Sequence, residues 1–130
     1  MMIYNDIIKD CFFEPKHVGS IVLETTGVVH FRAEQTKQGA LIDLYMQCDT
    51  QGLVTRMCFK TNGNPYIIAA LEWLCRNCEG KLFKELPSFN YQQLIQVLEI
   101  PMTQFPIALQ VEDVYREIMG LMATRLGSKI

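Results

Sequence analysis

One short stretch constrains the fold of this chain more than any other. Residues 53–59 form a mainly apolar segment, Asn62-Gly63 follows, and Asn64-Pro65 opens a long helical pattern. A short apolar segment that ends at a turn is consistent with a strand, and Asn-Gly is a strong turn signal. Asn is a preferred helix N-cap, and Pro is favoured at the first helical position. The sequence therefore predicts a strand, a tight corner and a helix within a few residues.

This corner, Phe59-Lys60-Thr61-Asn62-Gly63-Asn64-Pro65, resembles the motif F-K-T-x-G-C-G-x-A of the U-type iron–sulfur cluster scaffolds, the IscU and NifU N-terminal domain family. Two more segments are similar to family motifs. Residues 10–19 resemble D-H-[YF]-x-x-P-R-N-x-G, and residues 98–113 resemble L-x-L-P-P-V-K-x-H-C-S-x-L-A-E-D. Each motif alone is weak, but three in the right order and at matching intervals make a fairly specific signal.

The fold predicted from these patterns is α+β, with one domain over residues 1–130. A small antiparallel sheet of about three strands would carry helices packed on it. Helical spacing covers residues 2–13, 65–78, 90–100 and 107–126, and strand patterns cover 41–48, 53–60 and one or two segments within 20–34.

The resemblance also identifies where the family holds its cluster ligands. The two family cysteines fall on Gln38 and Asn64, the aspartate falls on Ala40, and the His-Cys pair falls on Pro106-Ile107. Iron and zinc sites of this kind use thiolate, imidazole and carboxylate donors, and neutral amides are poor substitutes. We therefore predict no metal and no cofactor at these positions, with Asn64 acting as a helix cap.

The favoured functional interpretation is protein interaction in iron–sulfur cluster assembly, without a cluster held by this chain. The resemblance implies a cysteine desulfurase or another assembly component as the partner, and no residue set predicts an enzymatic reaction. Tyr66 and Trp73 lie on one helical stripe and are candidate partner-binding residues, since Tyr and Trp are enriched at interface hot spots. Burial of that stripe in the core is the competing interpretation.

Two other functions remain open from the sequence. Iron or zinc could be held by non-standard cysteines such as Cys11, Cys75 and Cys78, although the last two belong to an apolar helical stripe typical of a core. A small molecule could instead bind an apolar cleft where the family's ligands lie. That cleft would be formed by Ala40, Tyr66, Pro106 and Ile107.

Composition narrows the functional classes further. The net charge is −2 and the sequence pI is about 5.6, which argues against nucleic acid as a main partner. No basic run, secretory signal or apolar stretch of membrane-spanning length is present, and we expect a cytoplasmic protein with no membrane partner. Five cysteines fit a reducing compartment. The sequence leaves the oligomeric state open.

Overall fold

The structure, a computed structural model, describes residues 5–34 and 40–127. It has the predicted α+β architecture, in which helices pack on one face of a three-stranded antiparallel sheet of order β1-β2-β3. The strands are β1 (Val28–Ala33), β2 (Ile42–Cys48) and β3 (Val54–Thr61). The α-helices are α1 (Asp6–Phe13), α2 (Pro65–Cys78), α3 (Tyr91–Leu98) and α4 (Phe105–Gly127), with short 3-10 turns at Phe83–Glu85 and Met102–Gln104.

The central strand β2 follows the predicted alternation. Ile42, Leu44 and Met46 are fully buried against the helices. Leu44 lies opposite Phe31 on β1 and opposite Phe59 on β3, so that one face of all three strands supplies apolar side chains to the core. Burial of this face against α2 and α4 is the main favourable contribution to folding.

Most element boundaries differ from the sequence prediction by one or two residues, and three of the differences have a local cause or lie at the edge of the described residues. Within 20–34 only Val28–Ala33 is a strand, because Gly27 turns the chain at a φ of +82° immediately before it. The last helix begins at Phe105 and not at 107, since Pro106 in the first turn loses no helical hydrogen bond. The first helix begins at Asp6, capped by the Asn5 side chain, and the predicted residues 2–4 lie outside the described residues. No helix among the described residues is long and apolar enough to cross a membrane.

The segment after α1 is fastened to α2 by a buried carboxylate. Glu72 is 0% exposed, and its Oε1 accepts hydrogen bonds from the backbone N–H groups of Lys16 and His17, both at 2.9 Å. Its Oε2 lies 2.7 Å from His17 Nδ1 and accepts from Arg76 Nε, also at 2.7 Å. Because a buried charge must be paired and hydrogen-bonded, Glu72 fixes both the loop and the Arg76 side chain in place.

The same segment continues along β3. The N–H of Phe59 donates to the carbonyl of His17 at 2.9 Å, and the N–H of Gly19 donates back to the carbonyl of Phe59 at 2.8 Å. Two more N–H groups of β3 are bonded outside the sheet ladder: that of Val54 donates to the Lys81 carbonyl at 2.9 Å, and that of Met57 donates to Glu79 Oε2 at 2.9 Å. The 14–19 segment and the residues just after α2, Glu79 and Lys81, thus both lie against β3.

Candidate functional site

The corner between β3 and α2 is built around the side chain of Asn64. Its Oδ1 accepts from the N–H groups of Tyr66 at 3.0 Å and Ile67 at 3.2 Å, which is an N-cap of α2, as predicted. Its Nδ2 donates to Gln104 Oε1 at 2.6 Å. Both ends of the carboxamide are therefore occupied by structural bonds. A metal could use Asn64 only by breaking the cap.

Ala40 is tied to the last helix by a second glutamine. Gln110 Oε1 accepts from the Ala40 N–H at 2.9 Å, and Gln110 Nε2 donates to the Ala40 carbonyl at 2.6 Å. This pairing satisfies both backbone groups of a residue that is 8% exposed. It also fixes Ala40, which shortly precedes β2, against α4.

The positions that the resemblance assigns to the family's ligands, as far as the structure describes them, lie near one another. Gly63, beside Asn64, packs so closely that a Cβ there would lie 3.1 Å from Ala40 Cβ and 2.1 Å from Ile67 Cγ2. Ile107 is three residues from Gln104 and three from Gln110, so it is a neighbour of each of them on the surface of this helical stretch. Ile107 is 8% exposed and belongs to the same apolar cluster as Ala40. Pro106 is half-buried in the first turn of α4, and Gln38 lies outside the described residues.

The donor set at this corner does not fit an iron–sulfur cluster or its metal ions as cargo. Ala40, Pro106 and Ile107 carry no donor atom, and the Asn64 carboxamide is engaged in the cap and the bond to Gln104. Across residues 5–34 and 40–127, no three His, Cys, Asp or Glu side chains are grouped so that they could hold a metal ion. Such cargo is held by thiolate, imidazole or carboxylate groups, and the described part of the corner offers none from these positions.

The three cysteines considered as alternative ligands are core residues. Cys75 and Cys78 are 0% exposed and Cys11 is 1% exposed, so the apolar interpretation of the α2 stripe is confirmed. Burial raises the pKa of all three thiols, well above its ordinary value for Cys75 and to about 11 for Cys78. Metals bind the thiolate form, so high pKa values oppose binding at neutral pH.

These shifts predict a pH dependence of stability. We expect the free energy of unfolding to fall as the pH rises from about 9 to about 11, because the unfolded chain releases the Cys78 proton before the folded chain does. The stabilisation that comes from the protonated Cys78 thiol is complete below the pKa of this thiol in the unfolded chain. It is lost as the pH rises through the pKa of the thiol in the folded chain. Urea titrations at pH 7.5 and 10.5 measure it. The variant Cys78→Ala should lose less stability over this range, and an equal loss in both proteins would contradict the assignment.

The cap predicts a second effect on stability. Replacing Asn64 by Ala should lower the free energy of unfolding by about 1–2 kcal/mol, because it removes two cap bonds and leaves Gln104 without this partner. Asn90 caps α3 through one bond, to Gln93 N–H at 2.8 Å, and is exposed, so Asn90→Ala is the comparison variant. Chemical denaturation measures the free energy of unfolding of both variants. A loss for Asn64→Ala no larger than that for Asn90→Ala would show that the corner depends little on the carboxamide.

The two residues predicted to bind a partner have different surroundings. Tyr66 is 5% exposed and packs in the core cluster, so little of its surface is open to a partner. Trp73 is partly exposed, contacts Phe89 edge-on with ring centroids 5.0 Å apart, and lines an open groove between α1 and α2. Partner binding stays a prediction for both, and the geometry is more favourable for Trp73.

Sequence reasoning did not single out Gln104, Gln110 or Glu72. Gln104 and Gln110 flank Pro106 and Ile107, the positions that the resemblance assigns to the family's His-Cys pair, and this proximity is the signal that the sequence offered. Glu72 interrupts the apolar pattern of α2 and could have been noticed as a charge on a helix predicted to be broadly buried. Their partners lie 40, 70 and more than 50 residues away, and no local pattern identifies contacts of that range.

Comparisons with known proteins identify the family of this chain and agree with its fold. The family described as NifU-like N terminal domain matches residues 3–123. The chain belongs to this family. The iron–sulfur cluster assembly scaffold protein IscU of Buchnera aphidicola subsp. Schizaphis graminum is 24% identical over 112 residues, which are 86% of this chain and 88% of that protein.

The protein of the same name from Haemophilus influenzae is also 24% identical over 112 residues, covering 86% of this chain and 89% of that protein. A solved crystal structure of a hypothetical protein is similar with a TM-score of 0.64 and 15% sequence identity. That similarity spans 88% of this chain and 94% of the other, and at this identity it shows the shared fold alone.

Proposed function

We propose that this chain acts in iron–sulfur cluster assembly as a binding protein that holds no cluster and catalyses no reaction. Its partner would be a cysteine desulfurase or another assembly component, and the protein would regulate or compete with scaffolds that carry ligands. The observation that carries the proposal is the Asn64 carboxamide, which stands where the family has a cysteine and is bonded at both ends.

Two features of the corner support this proposal: the strand-turn-helix pattern, which resembles the family motif, and the side chains at the ligand positions, which carry no metal-binding donors. The chain keeps the strand, turn and helix of the family motif that it resembles, while two glutamine bridges join Asn64 and Ala40 to the part of the chain that carries Pro106 and Ile107. A chain that keeps the family's fold can bind a family partner without carrying the metal-binding donors. It can neither accept sulfur on a thiol at Asn64 nor hold iron there.

The two alternatives have less support. Non-standard ligation would require Cys11, Cys75 or Cys78, which are each at most 1% exposed and whose pKa values burial raises. A small molecule in the cleft would have to displace packed groups, because Ala40, Tyr66 and Ile107 are each at most 8% exposed. A cytoplasmic location is part of the proposal, since assembly partners of this kind and five cysteines without a disulfide suit a reducing compartment.

A competition experiment with defined components tests the proposal. The purified chain is titrated into a cysteine desulfurase from the same genome together with a scaffold that carries the family's ligands. We expect saturable binding to the desulfurase, displacement of the ligand-bearing scaffold and no persulfide on this chain by mass spectrometry. Absence of binding to the desulfurase and to the other assembly components of that genome would overturn the proposal.

Cargo binding is tested separately by anaerobic reconstitution with iron and sulfide followed by desalting. We expect no visible absorption band and iron at background level. The Haemophilus influenzae scaffold named above serves as the positive control under the same conditions. A stable coloured product at stoichiometric iron would contradict the cluster-free part of the proposal.

A further inference from the structure

An open groove of about 430 Å³ runs between α1 and α2, away from the Asn64 corner. Its apolar part is formed by Ile7, by Trp73 and, at the base, by Cys11, which is 1% exposed. Ile7 is 42% exposed although it is a large aliphatic residue. A partly exposed Trp beside an exposed Ile is the kind of surface that contributes most to protein interfaces.

The polar rim of the groove is negative. Asp6 and Asp10 line it together with Arg76. Arg76 is already engaged, because its Nε donates to the buried Glu72, its Nη1 to Asp10 and its Nη2 to a backbone carbonyl. Asp6 has no ion-pair partner among residues 5–34 and 40–127. The carboxylates therefore exceed the cations around the apolar base.

We infer that this groove binds a partner protein segment that places an apolar side chain on Trp73 and Ile7, with Lys or Arg residues beside it. The inference rests on the proposed interaction role of Trp73 and adds the chemistry of the partner. Apolar burial would supply affinity, and the acidic rim would attract and orient the basic flanks.

Other classes of ligand fit this surface less well. A small molecule would remain largely in water, since specific pockets enclose most of the ligand's surface. Nucleic acid and anionic membrane surfaces carry the same sign of charge as the rim and would be repelled. A short basic and apolar segment is complementary in both respects.

The chain carries its own reporter, because Trp73 is its single tryptophan. The probe is the peptide Gly-Lys-Arg-Leu-Leu-Lys-Arg-Gly, blocked at both ends and titrated at physiological salt into the full chain. One control peptide has Glu and Asp in place of Lys and Arg, and another has Ser in place of Leu. We expect a saturable blue shift of Trp73 emission with the first peptide, none with the acidic peptide, and binding at least about tenfold weaker with the Ser peptide.

Matched variants locate the binding to the groove. Ile7→Lys should weaken binding at least about tenfold, whereas Leu121→Lys should leave it unchanged, since both residues are 42% exposed and Leu121 lies on α4. Asp6→Asn should also weaken binding more than Glu117→Gln, although both variants remove one negative charge. Circular dichroism confirms that each variant is folded. The absence of a saturable shift, or equal affinities within either pair, would overturn the inference.

The outcome is independent of the test of function above. A chain that binds the desulfurase but not the basic peptide disproves the groove assignment and leaves the proposed function intact. A chain that binds the peptide at the groove but no assembly component supports the groove and overturns the proposed function.

Discussion

Glu72→Ala should lower the free energy of unfolding by about 3–5 kcal/mol, the range observed when one partner of a buried ion pair is removed. The carboxylate accepts from two backbone N–H groups and from Arg76, and it contacts the His17 ring at 2.7 Å. Its removal leaves these partly buried groups without their acceptor, and a buried polar group that loses its partner carries a desolvation penalty. A loss of this size is a large fraction of the stability of a domain, which is about 5–15 kcal/mol. It is the largest loss that we expect from the replacement of a single charged residue.

Urea denaturation at pH 7 measures the effect, and Glu117→Ala, an exposed carboxylate on α4, is the control. Hydrogen exchange gives an independent measure, since the Phe59 N–H, bonded to the His17 carbonyl, should exchange faster in Glu72→Ala than in Glu117→Ala. Equal stability losses for the two variants would mean that the 14–19 segment is held by other contacts.

Restoring the family's donors should convert this chain into a metal-binding protein. The variant with Gln38→Cys, Ala40→Asp, Asn64→Cys and Ile107→Cys is expected to bind stoichiometric zinc, whereas the unmodified chain retains none at these positions. Three thiolates and one carboxylate satisfy a tetrahedral zinc ion, and Ala40, Asn64 and Ile107 already lie around one corner. At a zinc concentration one hundred times the Kd, we expect a stabilisation of about 2.7 kcal/mol.

Elemental analysis after desalting and thermal unfolding with and without zinc give the two readings. Asn64→Cys alone is the control and should bind no zinc, because one thiolate does not make a site. Zinc serves better than iron here, since it tests geometry without redox chemistry. A folded fourfold variant that stays metal-free would show that the positions inferred from the resemblance, Gln38 among them, do not form one ligand set.

Much of the fold could be predicted because its signals are local. The alternation of β2, the Asn64-Pro65 helix start and the cysteine stripe of α2 are each contained within 14 residues, and the structure confirms all three. The predicted boundaries of β1 and α4 were wrong because a single residue next to each boundary determined where the element begins. The turn at Gly27 means that β1 begins only at Val28. Pro106 is compatible with the first turn of a helix, so α4 begins at Phe105, before the apolar stripe of the helix starts.

The bonds that complete the corner could not be predicted in the same way. The absence of thiol, imidazole and carboxylate groups at Ala40 and Asn64 was visible in the sequence, but the two glutamines that bond to these residues come from another part of the chain. The α1–α2 groove was also missed, because it depends on how two helices separated by more than 50 residues pack together. Hydrophobic periodicity reports which face of a helix is apolar and carries no information about which element covers it.

The chain that lies along β3 has a consequence for association between molecules. A strand at the border of a sheet normally exposes unpaired backbone groups, which can pair with a strand of another copy and begin aggregation. Three outward amides of β3, those of Val54, Met57 and Phe59, are instead bonded to Lys81, Glu79 and His17. Intermolecular β-pairing at this border would first have to displace these partners, so both the 14–19 segment and the segment around Glu79 and Lys81 must be released before this protein becomes prone to self-assembly.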